Sequence, residues 1–478
     1  MLPNQDPIWK IVDSKSAPFF HLSDRIWDSP ELSYQEFIAA RLHEEALRQE
    51  GFSVTPGIAG IPTAIMGEAG KDGPVIAVLG EYDALPGLSQ EAGVAQERPI
   101  VAGGLGHGCG HNMLGAAALL AACSIKQWLE TNGIAGRVRY YGCPAEEAGA
   151  SKSIMVKQGA FDDVDIAICW HPAAFTGVFE AGSLASVGAE FTFHGRASHA
   201  AVAPEFGRSA LDAVELMNVG VNYMREHMPS TARVHYALID GGGSHPNVVQ
   251  SKAVVHHRVR AATLGEMWQL LERIKNIARG AALMTETTMH MKQQSGVANL
   301  IGNAPLEEAM HRNLVKLGGP EFDDADRRFA SEIQKTFSRA DIVAFYARYG
   351  LPAKDEALSS HILNFSPGQQ KWTSRGSTDV GTVSWVVPTV QCIVACFAPG
   401  TPFHSWQLVA QGKAPAAHKG TVVAAKAMAA LAKELFTDKA LLSAAKSELQ
   451  SFRAENEFRN PIGPEMATVP NAAAHGKG

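Results

Sequence analysis

The run from Gly106 to Asn112 carries residue types that bind transition metals, at a spacing that favours a shared ion. Cys109 and His111 are separated by one glycine, and the neighbouring glycines let the chain turn tightly enough to bring a thiolate and an imidazole to one point. His107 offers a third donor. Alone, the run leaves two interpretations open: a metal site, or a chance cluster of a cysteine and two histidines near glycines.

The segment that follows this run predicts a buried helix. Residues Met113 to Leu129 are rich in alanine and leucine, contain no proline and precede Gly133, where we expect the helix to end. Ligands on a glycine-rich turn that leads into a helix fit a metal at the mouth of an α/β sheet.

Two adjacent carboxylates, Glu146 and Glu147, follow a strand-like run from Arg137 to Tyr141. Crowding them at the end of a strand is costly unless a cation or a proton lies between them. The alternative is a solvated acidic turn, but the flanking residues are mostly apolar or small, which weakens that alternative.

Other polar side chains also follow apolar segments. His171 ends one such segment, His404 follows the run from Val390 to Phe397, and Asp83 follows the run from Val75 to Leu79. Open α/β sheets place their sites at the carboxyl ends of the strands. We therefore expect these groups to converge at one edge of a sheet.

Five motifs occur in a defined order, and their combination is more specific than any one of them. They are Gly106–His111, Pro144–Glu147, Trp170–Pro172, Ser198–Ala201 and Gly400–Trp406. With them the chain resembles the aminoacylase and carboxypeptidase G-like family of dinuclear metallopeptidases. Within that family it is most similar to the amidohydrolase branch, which includes plant indole-acetyl-amino-acid hydrolases and bacterial aminobenzoyl-glutamate hydrolases. The resemblance extends from about Ile11 to Phe436.

The resemblance implies two divalent metal ions per chain, manganese or zinc. Their ligands would be Cys109, His111, Glu147, His171 and His404. Each of these side chains is a reasonable ligand for such ions. Cys109 suits a bridge between two cations, because a nearby positive charge depresses the pKa of a thiol.

The resemblance also assigns Glu146 as the general base, which takes a proton from the attacking water and passes it to the leaving nitrogen. The alternative is that Glu146 is a further metal ligand. We expect His107 to hydrogen-bond a ligand rather than to bind metal, and Asp83 to orient a metal-binding group. A simple turn-stabilising aspartate is the alternative for Asp83.

The pattern of elements predicts an α/β fold with an inserted domain. Between residues 186 and 296 we predict strands at 187–193, 233–239, 253–260 and 285–292 and helices at 208–227 and 264–283. This β-α-β-β-α-β order is the ferredoxin-like split unit, which we expect to act as a lid or dimerisation domain. Residues 1–185 and 297–452 would form a metal-binding catalytic domain around a mostly parallel sheet, and residues 453–478 a flexible tail.

The inserted domain carries its own polar residues. By resemblance, His199 reaches the active site of a neighbouring subunit, which implies a homodimer or higher homo-oligomer, with a homologous second subunit as an option. Asn247 matches a family asparagine near bound substrate, and His245 beside it is a candidate for tuning substrate choice. Arg260 can clamp a carboxylate bidentately, the alternative being a solvated arginine.

Two further positions depart from the family pattern. Asn112 stands where relatives usually carry aspartate, and Cys143 replaces a common glutamine. Neither change removes a ligand, so we expect an active enzyme.

Length and composition agree with a cytoplasmic enzyme. The chain has 478 residues, 19% charged and 46% hydrophobic, which predicts two globular domains. A net charge of −6 gives no reason to expect nucleic acid or an anionic membrane as a partner. We find no signal-peptide pattern and no apolar run of the ~20 residues that a membrane span needs. The six scattered cysteines are typical of reduced thiols.

The leading hypothesis is a metal-dependent amidohydrolase that cleaves an N-acyl or N-aroyl amino acid, with p-aminobenzoyl-glutamate or a similar aroyl-glutamate as the first candidate substrate. One alternative is an aminohydrolase of the same fold, which removes an amino group. Another is a catalytically silent binding or regulatory homologue, although such a protein would normally have lost Glu146 or a ligand.

Overall fold

The computed structural model of the chain describes residues 6–179, 182–366 and 376–463. The helices are α1 (Pro7–Asp28), α2 (Phe37–Gln49), α3 (His111–Asn132), α4 (Ser151–Lys157), α5 (Ala210–Met224), α6 (Leu264–Met284), α7 (Ala304–Leu317), α8 (Asp324–Gln334), α9 (Arg339–Arg348), α10 (Val380–Ser384), α11 (Trp406–Gln411), α12 (Pro415–Thr437) and α13 (Lys439–Glu455). The strands are β1 (Ser53–Pro56), β2 (Ile65–Lys71), β3 (Val75–Glu81), β4 (Gly136–Cys143), β5 (Ile166–Ala173), β6 (Gly177–Val178), β7 (Ala185–His194), β8 (Arg233–Asp240), β9 (Lys252–Ala261), β10 (Thr288–Val297) and β11 (Thr389–Ala395). In these ranges, none of the helices combines the length and the apolar character that crossing a membrane requires.

The larger sheet has seven strands in the order β1-β2-β4-β3-β5-β11-β6. The central strands β4, β3, β5 and β11 run parallel, while β1, β2 and β6 pair antiparallel at the edges. Strands β3 and β11 are buried at every position. Their uninterrupted apolar sequences reflect this burial, because both faces of the sheet are covered. The predicted, mostly parallel sheet is confirmed.

Helix α3 anchors the run from Gly106 to Asn112 against this sheet. It begins at His111 and ends at Asn132, and Gly133 ends it in the left-handed conformation with φ of 61°. Its many alanines let it pack closely on α1 and α12. The run that carries Cys109 is therefore fixed to the core immediately before the first helical turn.

The inserted segment forms a separate four-stranded antiparallel sheet in the order β10-β7-β9-β8, with α5 and α6 on one face. The predicted β-α-β-β-α-β order is confirmed. Strand β10 begins at Thr288, later than expected, because the residues before it complete the end of α6. The Thr285 hydroxyl bonds the Ala281 carbonyl, and Glu286 has a φ of 53°.

The sheet limits Ala185 and Val297 lie next to the predicted boundaries. The proposed catalytic domain comprises residues 1–185 and 297–452, and the proposed inserted domain comprises residues 186–296. The prediction of a flexible tail is wrong for residues 453–463. Ile462 is 3% exposed, and the Arg459 guanidinium lies 4.2 Å from the centre of the Trp268 ring. Composition did not reveal this packing, and residues 464–478 lie outside the described ranges.

Candidate metal centre

The larger sheet delivers the predicted groups to one edge. Strand β3 ends two residues before Asp83, and β4 leads into the turn of Glu146 and Glu147. His171 lies near the carboxyl end of β5, and His404 lies in the loop between β11 and α11. These four strands are parallel neighbours, so the loops at their carboxyl ends are adjacent.

All five predicted ligands lie in one cluster around Cys109. Cys109, His111 and His171 form one group, and Cys109, Glu147 and His404 form a second, with the donor atoms of each group within 4.8 Å of one another. The Cys109 Sγ lies 3.5 Å from His171 Nε2, and His404 Nε2 lies 3.1 Å from Glu147 Oε1. The Sγ belongs to both groups, so the two sets of donors meet at Cys109.

The glycines of the run allow this approach. The His404 amide donates to the Gly108 carbonyl at 2.8 Å, and a Cβ added to Gly108 would lie 3.2 Å from His404 Cα. The same Cβ would lie 2.4 Å from the Leu88 side chain. A larger residue at 108 would therefore push the loop of His404 away from Cys109.

Two buried atoms show that the cluster fits a cation. His111 Nδ1 is bonded to Asp83 Oδ1 at 2.8 Å, whereas the buried His111 Nε2 and Glu147 Oε1 have no aligned hydrogen-bond partner. Buried polar atoms without partners are costly. A metal ion among these nitrogen, sulfur and carboxylate donors would satisfy both atoms. Burial alone would raise the pKa of Asp83, but the neighbouring His111 holds that pKa below its ordinary value.

Burial and mutual repulsion govern the other acidic groups. Burial raises the pKa of the Glu146 carboxyl well above its usual range, and the nearby carboxylates Glu81, Glu147 and Asp379 raise it further. Burial likewise raises the pKa of the Cys109 thiol, and Glu147 adds to that shift. A divalent cation would oppose both shifts, because it stabilises the charged forms.

Two carboxylates hold the turn that carries the glutamate pair. Ala145 has a φ of 55°, an unfavourable conformation for a residue with a side chain. Its amide donates to Glu36 Oε1 at 2.8 Å, and the Glu147 amide donates to Asp83 Oδ2 at 3.0 Å. Asp83 therefore bonds both His111 and the turn. Glu36 was not identified from the sequence.

A buried ion-pair network under the cluster was also missed. Lys152 is completely buried, and its Nζ lies 2.5 Å from Glu81 Oε1 and 2.7 Å from Asp379 Oδ1. Burial would lower the pKa of Lys152, but Asp379 and Glu81 keep it well above its usual value. The second oxygen of Glu81 lies 3.2 Å from His111 Nε2. A lysine among small residues just after the glutamate pair was the available sequence signal.

Two residues of the run from Gly106 to Asn112 tie it to the core. We expected His107 to hydrogen-bond a metal ligand. Instead, its Nε2 bonds the Ile26 carbonyl of α1 at 3.2 Å. Asn112 is buried, and its Nδ2 donates to Ser23 Oγ at 3.0 Å and to the Gly412 carbonyl at 3.1 Å. The amide at position 112 is explained by these acceptors, since an ionised aspartate has no hydrogen to donate. Cys143 is buried at the end of β4.

The predicted substrate-binding residues lie in the inserted domain, in two places. His199, Asn247 and His245 are exposed in neighbouring loops, joined by a hydrogen bond from the Ala200 amide to the Asn247 carbonyl at 2.9 Å. Arg260 is half-buried near the end of β9. The structure thus groups the two histidines with the asparagine and separates them from the arginine.

Sequence comparison places the chain among hydrolases with this architecture. Residues 182–285 match the model of a peptidase dimerisation domain (M20_dimer). The chain is 43% identical to one of the subunits of p-aminobenzoyl-glutamate hydrolase of Escherichia coli, over 96% of its own length and 97% of the relative. The chain belongs to the M20 peptidase family. The Xaa-Arg dipeptidase of Mus musculus, also similar, is 29% identical over 94% of this chain and 93% of that protein.

Solved structures of similar proteins have the same fold. A dinuclear metal binding peptidase of the M20 family from Bacillus subtilis has a TM-score of 0.56 at 18% identity and covers 89% of this chain and 99% of its own. An aminobenzoyl-glutamate utilization protein from Klebsiella pneumoniae also has a TM-score of 0.56, at 17% identity, covering 89% of this chain and 98% of its own. This M20 chain is a metal-dependent amidohydrolase, which confirms the motif-based prediction.

Proposed function

We propose that the chain hydrolyses the amide bond of an N-acyl or N-aroyl amino acid, with p-aminobenzoyl-glutamate or a similar aroyl-glutamate as the leading substrate. The observation that carries the proposal is the pair of donor groups that share Cys109, with Glu146 near His111. The substrate is suggested by the name of the Escherichia coli relative. The free state of all six cysteines fits a reducing cytoplasm, which we keep as the proposed location.

Two divalent ions, manganese or zinc, would be held by five side chains. They are Cys109, His111, His171, Glu147 and His404. When bound, such ions polarise a carbonyl oxygen and lower the pKa of water. Sulfur and imidazole donors favour zinc because they are soft ligands. Which metal is bound in the cell also depends on the supply of each ion.

Glu146 would move the proton. Its carboxylate takes a proton from the water that attacks the carbonyl carbon, and it then delivers that proton to the leaving nitrogen. The half-buried position of Glu146 and its place beside His111 in the cluster support this role. Glu147 differs because its amide is fixed by Asp83 and its carboxylate belongs with Cys109 and His404 to one donor group.

A pair of glutamine variants tests this division of roles. Glu146→Gln should keep its metal but lose roughly two to four orders of magnitude in turnover, as expected for the loss of a proton-transfer group. Glu147→Gln should instead lose metal. Elemental analysis and hydrolysis rates for both proteins decide the matter. Two variants with the same metal content and the same rate would contradict the proposal.

We propose a homodimer in which His199 completes the site of the partner, with a homologous second subunit as the alternative. Residues 235–239 of the edge strand β8 are all exposed, and they include Tyr236 at 40%, Leu238 at 53% and Ile239 at 55%. An exposed apolar edge is suited to pairing with a second copy. His199 Nδ1 accepts hydrogen bonds from the Ala201 and Val202 amides, so Nε2 remains to donate to a carbonyl oxygen that becomes negative.

Mixed dimers test the shared site. A dimer of Glu146→Gln with His199→Ala has one intact site if His199 acts across the interface. Random re-pairing of equal amounts makes about half of the dimers mixed, so roughly a quarter of wild-type activity should return. If His199 served its own chain, every site would carry a defect, and re-paired protein would stay inactive.

A substrate panel separates the remaining alternatives. We expect release of an amino acid from aroyl-glutamates in the presence of manganese or zinc. Release of ammonia without an amino acid would identify an aminohydrolase instead. Faster cleavage of Xaa-Arg dipeptides would move the assignment toward the dipeptidase relatives, and stoichiometric metal binding without any turnover would identify a binding protein.

A further inference from the structure

In the inserted domain, α5 and α6 cover one face of the sheet, and the other face carries a basic patch. Apolar residues such as Val187, Ala189 and Val259 face the two helices, so the residues that alternate with them lie on the other face. The register places His235, Arg258, Gly188 and Ser295 in one row across the four strands. Arg233 and Arg260 lie opposite each other in the adjacent row.

Gly188 leaves a space into which three polar side chains point. A Cβ at this position would lie 2.9 Å from His256 Nε2, 2.9 Å from Ser295 Oγ and 3.4 Å from Arg258 Nη2. Gly188 is not among the residues with positive φ, so the backbone does not require glycine here. What glycine supplies at this position is room between the three polar groups.

Ser295 is buried, His256 and Arg258 are half-buried, and their polar atoms lack partners. His256 Nε2 and Ser295 Oγ have no hydrogen-bond partner, and Ser295 is 5% exposed. Within the described ranges, the Arg258 guanidinium forms no ion pair. Burial lowers the pKa of Arg258, and the charge of Arg260 lowers it further, which shows that positive charge is concentrated here. Groups in this state are suited to an anionic ligand.

We propose that Arg258, His256 and Ser295 form a carboxylate-binding site over Gly188. The guanidinium offers two parallel N–H groups to a carboxylate, while the serine hydroxyl and the Nε2-protonated tautomer of the imidazole donate from the side. The neighbouring carboxylate Glu190 lies opposite His256 in the register and accepts a hydrogen bond from Gln294. The ligand is either the side-chain carboxylate of an aroyl-glutamate substrate, which rests on the proposed function, or a separate small dicarboxylate.

The test uses the full-length, metal-loaded protein and two perturbations of the site. Arg258→Gln removes the charge, and Gly188→Ala fills the space with a methyl group. Arg233→Gln is the charge control, because its guanidinium is held by the Ser230 and Ala232 carbonyls of its own turn. Gly280→Ala is the glycine control, since nothing lies within 4 Å of a Cβ added there.

Two measurements distinguish the ligand sources. If the substrate supplies the carboxylate, both test variants should raise the KM for p-aminobenzoyl-glutamate at least tenfold while leaving the KM for p-aminobenzoyl-glutamine unchanged. If a separate dicarboxylate binds, both variants should weaken glutarate binding at least tenfold in calorimetric titration, with both KM values retained. The titration needs no turnover, so it remains decisive if the proposed amide hydrolysis fails.

Three results would overturn the site. The first is an unchanged KM and an unchanged glutarate affinity in both test variants. The second is a loss in Arg233→Gln as large as the loss in Arg258→Gln. The third is wild-type protein that binds no glutarate, together with a wild-type KM in Arg258→Gln. Circular dichroism of Arg258→Gln and Gly188→Ala excludes unfolding as the cause of a loss, and Arg258→Lys should retain part of the affinity as a point charge.

Discussion

Removal of the Glu36 side chain should disable catalysis from outside the metal cluster. Glu36 is fully buried; its Oε1 accepts the Ala145 amide at 2.8 Å, and its Oε2 accepts the Thr63 hydroxyl at 2.9 Å. Ala145, with its φ of 55°, immediately precedes Glu146. A residue with a side chain pays about 1–2 kcal/mol for such a conformation, and it persists only when its surroundings enforce it.

The magnitude follows from what Glu36→Ala leaves behind. The Ala145 amide and the Thr63 hydroxyl would be buried without a partner, at about 1–3 kcal/mol each. The free-energy cost of these two unpartnered groups exceeds the cost of the strained Ala145 conformation that Glu36 maintains. The turn should therefore relax and displace Glu146. A displacement of about 1 Å at a catalytic group can cost roughly 100-fold in rate. We therefore expect kcat to fall by about 100-fold, with the metal retained.

Glu36→Gln is the matched control. Burial, followed by the charge of Asp83, raises the pKa of Glu36 to about 8, so near neutral pH the group is largely an uncharged acid that glutamine imitates. The glutamine oxygen can accept the Ala145 amide while its NH₂ group donates to the Thr63 hydroxyl. Steady-state kinetics and elemental analysis should show a rate near wild type. Wild-type kcat in Glu36→Ala, or equal losses in the two variants, would refute the positioning role.

Two further predictions concern buried charge elsewhere. Lys152→Met leaves the Glu81 and Asp379 carboxylates without their cation. The free energy of unfolding, measured in urea, should therefore fall by about 3–5 kcal/mol. A loss below about 1 kcal/mol would contradict the ion-pair network. Burial lowers the pKa of His43 from 6.5 to about 3. The stability that depends on a neutral His43 is therefore complete above pH 6.5, the pKa in the unfolded chain, and is lost as the pH falls from 6.5 toward 3. From about pH 7.5 to about pH 5.5 this group should remove about 1.4 kcal/mol, which His43→Gln should abolish, and an equal loss in wild type and variant would exclude His43 as the source.

The sequence predicted the groups that lie at the ends of elements better than those that support them. The positions of His171 and Asp83 follow from local rules, because apolar strands can be recognised from their own residues and parallel strands present their carboxyl ends together. Glu36 bonds Ala145 across 109 residues, and Lys152 bonds Asp379 across 227. No local pattern encodes such pairings, which only the folded chain brings together.

The same limit explains the less successful predictions. His107 shares a glycine-rich run with the ligands, but its ring is directed to the Ile26 carbonyl by the packing of α1, which spacing does not report. The segment around Ile462 has the composition of a loose end, yet Ile462 is buried within an apolar cluster. In both cases a tertiary contact outweighed the local signal.

The balance of buried charge at the centre favours two divalent ions over one. Lys152 is one cation shared by Glu81 and Asp379, and His111, which pairs with Asp83, is a neutral imidazole when it binds a metal. With metal bound, Glu146, Glu147 and the Cys109 thiolate would add three negative charges. One divalent ion would leave a net negative charge, which repels a carbonyl oxygen that is becoming an oxyanion. When the six acidic groups and Lys152 are counted together, one divalent ion would leave a net charge of −3 and two would leave −1, so the arrangement of acidic residues favours a dinuclear centre.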